Sequence, residues 1–159
     1  MKIEELKNKI ICGDALTELK KLSDECIDCV ITSPPYFNLR DYGIEGQTGL
    51  EKTYQKYIAK LIAVFDEVKR VLKKEGTCFV NLGDSYNGNK KGNTSNKWEN
   101  VNTKSFKKQK AKDISEKSLM MIPERFAIEM INNDWQLRED LTKEEREYVL
   151  TELVKRDIL

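Results

Sequence analysis

The spacing of apolar positions changes several times along the chain, and each change predicts a new element. Residues 9–12 form a short apolar run that ends shortly before Asp14, which predicts a buried strand with an acid beyond its carboxyl end. Residues 15–22 carry leucines at helical spacing and predict a helix. The β-branched, apolar run at residues 29–31 is stopped by Pro34 and predicts a second strand.

A long amphipathic helix is predicted between residues 51 and 74, and Gly76 is expected to end it. Residues 77–82 then predict a third strand, which Gly83 and Asp84 terminate. One face of this helix collects the apolar side chains Tyr54, Tyr57, Ile58, Leu61, Ile62, Phe65, Val68, Val71 and Leu72.

The pattern of residues 118–133 predicts a further helix with Pro123 in its first turn, and residues 135–138 predict the opening of another strand. Strands and helices that alternate in this way are typical of an open α/β fold with a mostly parallel sheet flanked by helices. The sequence therefore predicts the α/β class.

Polar side chains follow each of the three predicted strands. Asp14 follows the first, residues 33–36 follow the second, and Asp84 follows the third. Ligands of open α/β sheets bind beyond the carboxyl ends of the strands. We therefore expect these three segments to converge at one edge of the sheet.

Residues 89–112 interrupt the apolar pattern and are strongly basic. The segment contains one acid, Glu99, together with Trp98 and Phe106. It is interpreted as a solvated, flexible loop, and such a loop is also able to clamp a phosphate backbone and become ordered on binding. Its lysines are Lys90, Lys91, Lys97, Lys104, Lys107, Lys108, Lys110 and Lys112.

Residues 142–159 predict a charged amphipathic helix that is distinct in character from the rest of the chain. Thr142 and Glu145 fit a capping box at its start. Its narrow apolar stripe either packs on its own domain or docks another chain. We divide the chain into a main part, residues 1–138, and this helical part, residues 139–159.

The 159 residues suit one domain with a single core. Formal charge is +1, so net charge does not indicate a polyanionic partner, and only local clusters of basic residues do. The sequence shows neither an apolar run long enough to cross a membrane nor a signal-peptide pattern, so we expect a cytoplasmic protein without a membrane partner.

Two of the four cysteines, Cys26 and Cys29, have the CxxC spacing of a redox or zinc site. A zinc site needs about four ligands. The chain has no histidine and no second CxxC pair, so we expect structural cysteines and no metal.

The Ser-Pro-Pro-Tyr string at residues 33–36 suits methyl transfer to an exocyclic amino group of a nucleobase. The lone pair of such a nitrogen is delocalised into the ring, and acceptors on its two N–H bonds favour a localised lone pair. The Ser33 side-chain oxygen and the Pro34 carbonyl are candidate acceptors. Tyr36 offers an aromatic face on which a base extruded from a duplex can stack.

The chain resembles the N4-cytosine and N6-adenine amino-group DNA methyltransferases. The resemblance covers residues 9–138, and the combination of motifs is highly specific. It rests on residues 13–16 (Gly-Asp-Ala-Leu), 32–36 (Thr-Ser-Pro-Pro-Tyr), 39–43, 46–47, 49–51, 70–73 with Gly76, 81–86 (Asn-Leu-Gly-Asp-Ser-Tyr), 123–126 and 135–138.

The resemblance implies S-adenosylmethionine as the methyl donor, double-stranded DNA as the partner and a flipped base as the acceptor. It implies a catalytic set, Ser33, Pro34, Pro35 and Tyr36, and it implies that Asp14 and Ser33 contact the cofactor. A serine at the first position of the tetrapeptide is more typical of members that act on cytosine N4 than on adenine N6. We assign DNA binding to Arg40, Lys90, Lys91, Lys97, Lys104, Lys107, Lys108 and Lys110.

The chain departs from the family in one respect. The glycine-rich Phe-x-Gly-x-Gly cofactor motif, expected after the catalytic tetrapeptide, does not occur in the 159 residues, nor does Trp-x-Lys-Pro after residue 138. We therefore expect an incomplete Rossmann-like methyltransferase fold, weak binding of S-adenosylmethionine, and a long unpaired sheet edge.

Three hypotheses follow from this departure. The chain is the N-terminal part of a site-specific DNA methyltransferase whose glycine-rich half comes from a second polypeptide. Alternatively, it is a truncated, inactive relative, or a DNA- or protein-binding module that kept the fold. A dehydrogenase is disfavoured because no Gly-x-Gly-x-x-Gly follows a strand.

Overall fold

The structure is a computed structural model that describes residues 3–88 and 110–138. A short 3-10 helix, Ile3–Glu5, precedes five longer elements. They are helix α1 (Ala15–Leu19), strand β1 (Ile27–Thr32), helix α2 (Tyr54–Val71), strand β2 (Leu72–Val80) and helix α3 (Ile122–Asn132).

The two strands pair in parallel and are joined through α2, so β1, α2 and β2 form a β-α-β unit. Val30 pairs with Cys78, and Thr32 pairs with Val80 at the carboxyl ends of the strands. A parallel pair needs a long crossover, and an 18-residue helix supplies it here. The predicted α/β class with a parallel sheet flanked by helices is confirmed in this part of the chain.

Helix α2 provides most of the hydrophobic core. The side chains on its predicted apolar face are buried: Tyr54, Tyr57, Ile58, Leu61, Ile62, Phe65, Val68, Val71 and Leu72. Phe65 packs edge-on against Phe126 of α3, with ring centroids 5.0 Å apart. Thr53 caps the amino end of α2 by accepting a hydrogen bond from the Lys56 amide. The amphipathic pattern was thus a sound guide to the core.

The predicted end of α2 at Gly76 is wrong. The helix ends at Val71, and Leu72 already has the extended backbone of β2. The amides of Glu25 and Cys26 donate to the carbonyls of Arg70 and Val71. These contacts lead directly into the pairing with β1, so pairing with a neighbouring strand prevails over local helix propensity. Gly76 lies within the strand instead.

Two predicted strands are absent from the described part of the chain. Residues 9–12 have no regular structure, and the Ile10 side chain is fully exposed. Residues 135–138 also form no strand. A strand persists only when a neighbour accepts and donates its backbone hydrogen bonds, and β1 and β2 pair with each other rather than with either segment.

The Asn87 side chain connects the two described parts of the chain on either side of the basic segment. Asn87 is buried, donates to the carbonyls of Ala111 and Ile114, and accepts a hydrogen bond from the Ala111 amide at 2.9 Å. Its backbone also bonds to that of Lys117 and Ser118. These bonds hold residues 87 and 111–118 together just before α3.

Helix α3 follows as predicted, with Pro123 in its first turn. It buries Ile122, Phe126 and Met130 against α2, whereas Ile128 and Ile131 remain exposed.

Arg70 connects the end of α2 to α1 and the turn after it. Its guanidinium donates to the carbonyls of Leu19 and Leu22 at 3.0 Å and forms ion pairs with Asp24 and Glu67. The carbonyls at the end of a helix have no partner within that helix, so a guanidinium suits this position. The short α1 is therefore held by a side chain of α2.

No helix in residues 3–88 and 110–138 is both long and apolar enough to cross a membrane. The predicted basic segment lies outside the described residues except for residues 110–112, and so does the predicted helix at residues 142–159.

Candidate active site

The Ser-Pro-Pro-Tyr segment forms an irregular turn directly after β1. It borders an open cleft of about 350 Å³. The Ser33 hydroxyl lies 3.4 Å from the Tyr36 hydroxyl, so the two polar ends of the tetrapeptide point to the same region. The lining residues are Ser33, Pro34, Pro35, Tyr36, Leu39, Arg40 and Tyr42.

The ring of Tyr36 lies on the backbone of Gly83, just beyond the end of β2. A Cβ at this glycine would come within 2.6 Å of Tyr36 Cε2 and 2.8 Å of Cδ2. Any side chain there would therefore displace the ring. The segments that follow β1 and β2 thus meet at one edge, which confirms this part of the predicted convergence.

Gly49 supports the same turn from another side. It has φ +101°, and a Cβ there would lie 2.8 Å from the Tyr36 carbonyl oxygen. The Asn38 amide donates to the Gly49 carbonyl at 2.8 Å, and the Gly49 amide donates to Glu51 Oε2 at 2.8 Å. The close backbone approach and the positive φ both require glycine at this position.

Helix α2 also fixes the turn. The Tyr57 hydroxyl donates to the Pro35 carbonyl at 2.8 Å. Phe37, the residue after the tetrapeptide, is buried and packs against the Tyr57 ring with centroids 5.4 Å apart. The sequence pattern placed Tyr57 only among core residues. The signal that was overlooked is that a buried tyrosine hydroxyl needs an acceptor.

A second loop brings Arg40 and Tyr42 to the cleft. Gln47 braces it, since its amide nitrogen donates to the Arg40 carbonyl at 2.9 Å and its amide oxygen accepts from the Tyr42 amide at 2.7 Å. Arg40 and Tyr42 are both exposed. The cleft is thus bordered by a cation and by two tyrosines, Tyr36 and Tyr42.

Asp14 stands apart from this arrangement. Its Oδ1 accepts hydrogen bonds from the Thr17 amide and hydroxyl at 3.0 and 2.8 Å, so it caps α1. The hydroxyl bond, followed by the amide bond, lowers the pKa of the Asp14 carboxyl below its ordinary value. The predicted delivery of Asp14 by a buried strand is wrong, because residues 9–12 form no strand.

Asp84 has a structural role that the sequence did not reveal. Its two carboxylate oxygens accept from the amides of Met121 and Ile122 at 2.9 and 3.0 Å, at the start of α3. Met121 has a left-handed backbone and no capping side chain of its own. Asp84 therefore caps α3 from a distance of 38 residues along the chain, as a carboxylate at a helix N-terminus does.

Most lysines assigned to DNA lie outside the described residues, namely Lys90, Lys91, Lys97, Lys104, Lys107 and Lys108. Lys110 is described, and its ammonium pairs with Glu116 at 3.1 Å on the surface.

The four cysteines are free thiols, and Cys26 donates to the Ser23 carbonyl. Burial, and to a lesser extent Cys29, raises the pKa of the Cys78 thiol to about 12. Within residues 3–88 and 110–138, no cluster of three or more metal-ligating side chains occurs.

A family model described as DNA methylase, for N6 and N4 methyltransferases, matches residues 27–155. This match covers most of the chain, which belongs to the amino-group DNA methyltransferase family. Comparison with solved structures gives no significant match.

Several curated relatives are similar over most of this chain. It is 42% identical over 130 residues to the Type II methyltransferase M.XycI of Xanthomonas campestris pv. cyanopsidis, which covers 81% of this chain and 43% of that protein. It is 40% identical over 139 residues to M.SmaI of Serratia marcescens, with 84% and 46% covered. The chain therefore spans somewhat less than half the length of these relatives.

The name of a third relative specifies a base, adenine. The DNA adenine methyltransferase YhdJ of Escherichia coli is 37% identical over 73 residues, which covers 45% of this chain and 23% of that protein.

Proposed function

We propose that this chain carries the base-binding and catalytic edge of a site-specific DNA methyltransferase. The observation that supports this most directly is the tetrapeptide at residues 33–36, which borders an open cleft and is braced by backbone and side-chain contacts from three other segments. The reaction is methyl transfer from S-adenosylmethionine to an exocyclic amino group of a flipped base.

The chemistry assigns a separate role to each part of the turn. The Ser33 oxygen and the Pro34 carbonyl accept hydrogen bonds from the two N–H groups of the amino group, and these bonds localise the nitrogen lone pair. Tyr36 stacks on the base, and its position on Gly83 fixes the plane of the ring. With the base held in this way, the amino nitrogen would face the methyl carbon of the donor, and positioning would supply much of the acceleration without a covalent enzyme intermediate. As the C–N bond formed, the C–S bond of the sulfonium would break, the neutral thioether would leave, and the amino group would lose one proton to water.

S-adenosylmethionine supplies an electrophilic methyl group on sulfonium sulfur. Asp14 and Ser33 are the residues proposed to contact it. Asp14 is exposed, and its carboxylate accepts hydrogen bonds, which suits hydroxyl or amino groups of the cofactor. The glycine-rich segment that completes the cofactor site is proposed to lie outside these 159 residues, on a longer form of the protein or on a second polypeptide.

The same proposal covers fold and substrate. The parallel pair of β1 and β2 is taken as part of a Rossmann-like sheet, residues 1–138 as the catalytic part, and residues 139–159 as a separate helix. Cytosine N4 is favoured over adenine N6 because Ser33 opens the tetrapeptide. Double-stranded DNA is the proposed partner, held by Arg40 at the cleft and by the lysines of residues 89–112.

Methyl transfer to DNA of mixed sequence tests the reaction. We expect incorporation when the chain is combined with a polypeptide that contains the Phe-x-Gly-x-Gly motif, and mass analysis of nucleosides should identify N4-methylcytosine. Tyr36→Ala should abolish most transfer, whereas Tyr86→Ala, a control at an exposed tyrosine outside the cleft, should not. Full activity of Tyr36→Ala would rule out the stacking role.

Salt dependence tests the DNA contacts. If Lys107 and Lys108 each contact a phosphate, the double change Lys107→Ala, Lys108→Ala should reduce the slope of log affinity against log salt by about 2. An unchanged slope would remove these lysines from the interface. Retained DNA binding without transfer in every combination would instead favour the alternative, a truncated relative that acts as a binding module.

A further inference from the structure

We propose that Tyr57 is a positioning residue for methyl transfer, because its hydroxyl holds the Pro35 carbonyl and thereby sets the orientation of the turn at residues 33–36. This inference rests on the proposed function. It extends the site to the buried face of α2, a helix whose sequence pattern indicates only core packing.

Tyr57 contacts both residues that flank Tyr36 in the sequence. Its hydroxyl donates to the carbonyl of Pro35, the residue before Tyr36, at 2.8 Å. Its ring packs against Phe37, the residue after Tyr36, with an angle of 42° between the ring planes. Tyr57 itself is completely buried, so α2 holds the turn at two points through one side chain.

This hydrogen bond is available throughout the neutral pH range. Burial, and then the nearby Glu51, raise the pKa of the Tyr57 hydroxyl well above its ordinary value. The hydroxyl therefore stays protonated and acts as a donor. Loss of this partly buried hydrogen bond leaves the Pro35 carbonyl without the Tyr57 hydroxyl, and the turn is expected to reorient to find another donor.

Reorientation of the Pro35 peptide would shift the residues that precede and follow it in the chain. The Pro34 carbonyl, proposed to accept from the base, precedes the Pro35 peptide, and the Tyr36 ring follows it. A misplacement of about 1 Å at a reacting group is enough to cost roughly 100-fold in rate. The bond from Tyr57 is therefore expected to matter more for the rate than for stability.

Tyr57→Phe removes the hydroxyl and keeps the ring that packs on Phe37. Tyr54→Phe is the matched control, since Tyr54 lies one turn earlier on α2, is also buried, and donates its hydroxyl to Asp113 at 2.5 Å. Each variant loses the hydroxyl of one buried tyrosine, which at Tyr54 also accepts from Arg125, but only the Tyr57 hydroxyl bonds to the turn. We expect similar losses of thermal stability in the two variants.

The Pro35 carbonyl gives a readout that does not depend on activity. The chain has three prolines, so carbonyl labelling with ¹³C-proline gives three signals. Tyr57→Phe should move the Pro35 signal upfield and leave that of Pro123 in place, and Tyr54→Phe should leave the Pro35 signal unchanged. In the wild-type chain, the Tyr57 hydroxyl proton should exchange with water far more slowly than that of the exposed Tyr42.

Transfer kinetics, measured on the preparation that contains the glycine-rich segment, complete the test. We expect kcat to fall by about tenfold to 100-fold in Tyr57→Phe with little change in KM for DNA, and neither to change in Tyr54→Phe. A Pro35 signal that does not move, a rapidly exchanging Tyr57 hydroxyl, or an unchanged kcat would overturn the positioning role. Absence of transfer by the wild type would count against the proposed function, and the two spectroscopic readouts would still decide whether Tyr57 sets the turn.

Discussion

The two sides of the proposed site differ sharply in how they are built. The turn at residues 33–36 is held by contacts from distant parts of the chain, namely Tyr57 on α2, Gly49 and Gly83. Asp14, on the proposed cofactor side, is bonded to Thr17, three residues away in the sequence. Arg70 of α2 holds the far end of the helix that Asp14 caps, and Ile10 before Asp14 is fully exposed.

This difference has a physical consequence. A turn fixed by several long-range contacts is already in place before a ligand binds, so a base entering the cleft does not have to order it. Residues 9–12, in contrast, have no regular structure and expose the apolar side chains of Ile10 and Ile11, so this segment still has ordering to complete. We infer that the base side of the site is preorganised in this chain and that the cofactor side is not.

The largest predicted effect on the base side comes from Gly49→Ala. The substitution introduces strain at φ +101° and brings Cβ to 2.8 Å from the Tyr36 carbonyl oxygen, so it should lower the free energy of unfolding by about 2–3 kcal/mol. Gly46→Ala is the control, because Gly46 also has a positive φ, +74°, but no atom within 4 Å of the added Cβ.

Chemical denaturation of the two alanine variants provides the measurement. Gly46→Ala should cost only about 1 kcal/mol, from the backbone alone. Equal losses in both variants would mean that the contact between Gly49 and the turn contributes nothing, and the base side would then be less firmly built than we infer.

An intermediate effect is predicted for the two capping aspartates. Asp84→Ala removes the acceptor of two amides at the start of α3, where Ile122 is buried, and should cost about 1–2 kcal/mol of unfolding free energy. Asp14→Ala removes the cap of the exposed, five-residue α1 and should cost less than Asp84→Ala. Urea unfolding distinguishes them, and the reverse order would contradict the comparison.

The smallest predicted effect is a pH dependence linked to Tyr54 and Asp113. The hydrogen bond from Tyr54 lowers the pKa of the Asp113 carboxyl below its ordinary value of 3.8. The folded-state pKa is depressed, so the stabilisation is present above pH 4 and disappears as the pH falls through the folded-state value. Tyr54→Phe should therefore flatten the acid side of the stability profile.

The same hydrogen bond also makes stability depend on pH in the alkaline range, where stability falls as the pH rises. The bond to Asp113, followed by burial, raises the pKa of Tyr54 above its ordinary value of 10.0. Its contribution is thus complete below pH 10 and is lost as the pH rises through the folded-state value. Unfolding measured from pH 2.5 to 6 tests the acid arm, and identical profiles for the wild type and Tyr54→Phe would show that this bond is not maintained in solution.

Sequence patterns predicted the elements whose stability depends on their own amphipathicity. The apolar face of α2 and the proline at the start of α3 are in place. The patterns failed where structure depends on a partner, as for residues 9–12, which find no strand to pair with, and for Gly76, which lies in a strand rather than ending a helix. A local pattern carries no information about such partners.

For the candidate site too, local sequence features were predicted and long-range contacts were not. The tetrapeptide was recognisable because its chemistry lies in consecutive residues. Tyr57 and Asp84 were not recognised as supports, since each acts through a contact 22 or more residues away. Most buried or partly buried hydroxyls and carboxylates have a hydrogen-bond partner, and the fold identifies which one it is.

The central claim is that this chain holds a preorganised base side and an unformed cofactor side. Calorimetric titration of the 159-residue chain with S-adenosylmethionine tests it most directly. We predict weak binding, with a dissociation constant of about 1 mM or higher, near 4 kcal/mol of binding free energy or less. A micromolar dissociation constant that is lost in Asp14→Ala would show that the cofactor side is already formed in this chain and would contradict the account.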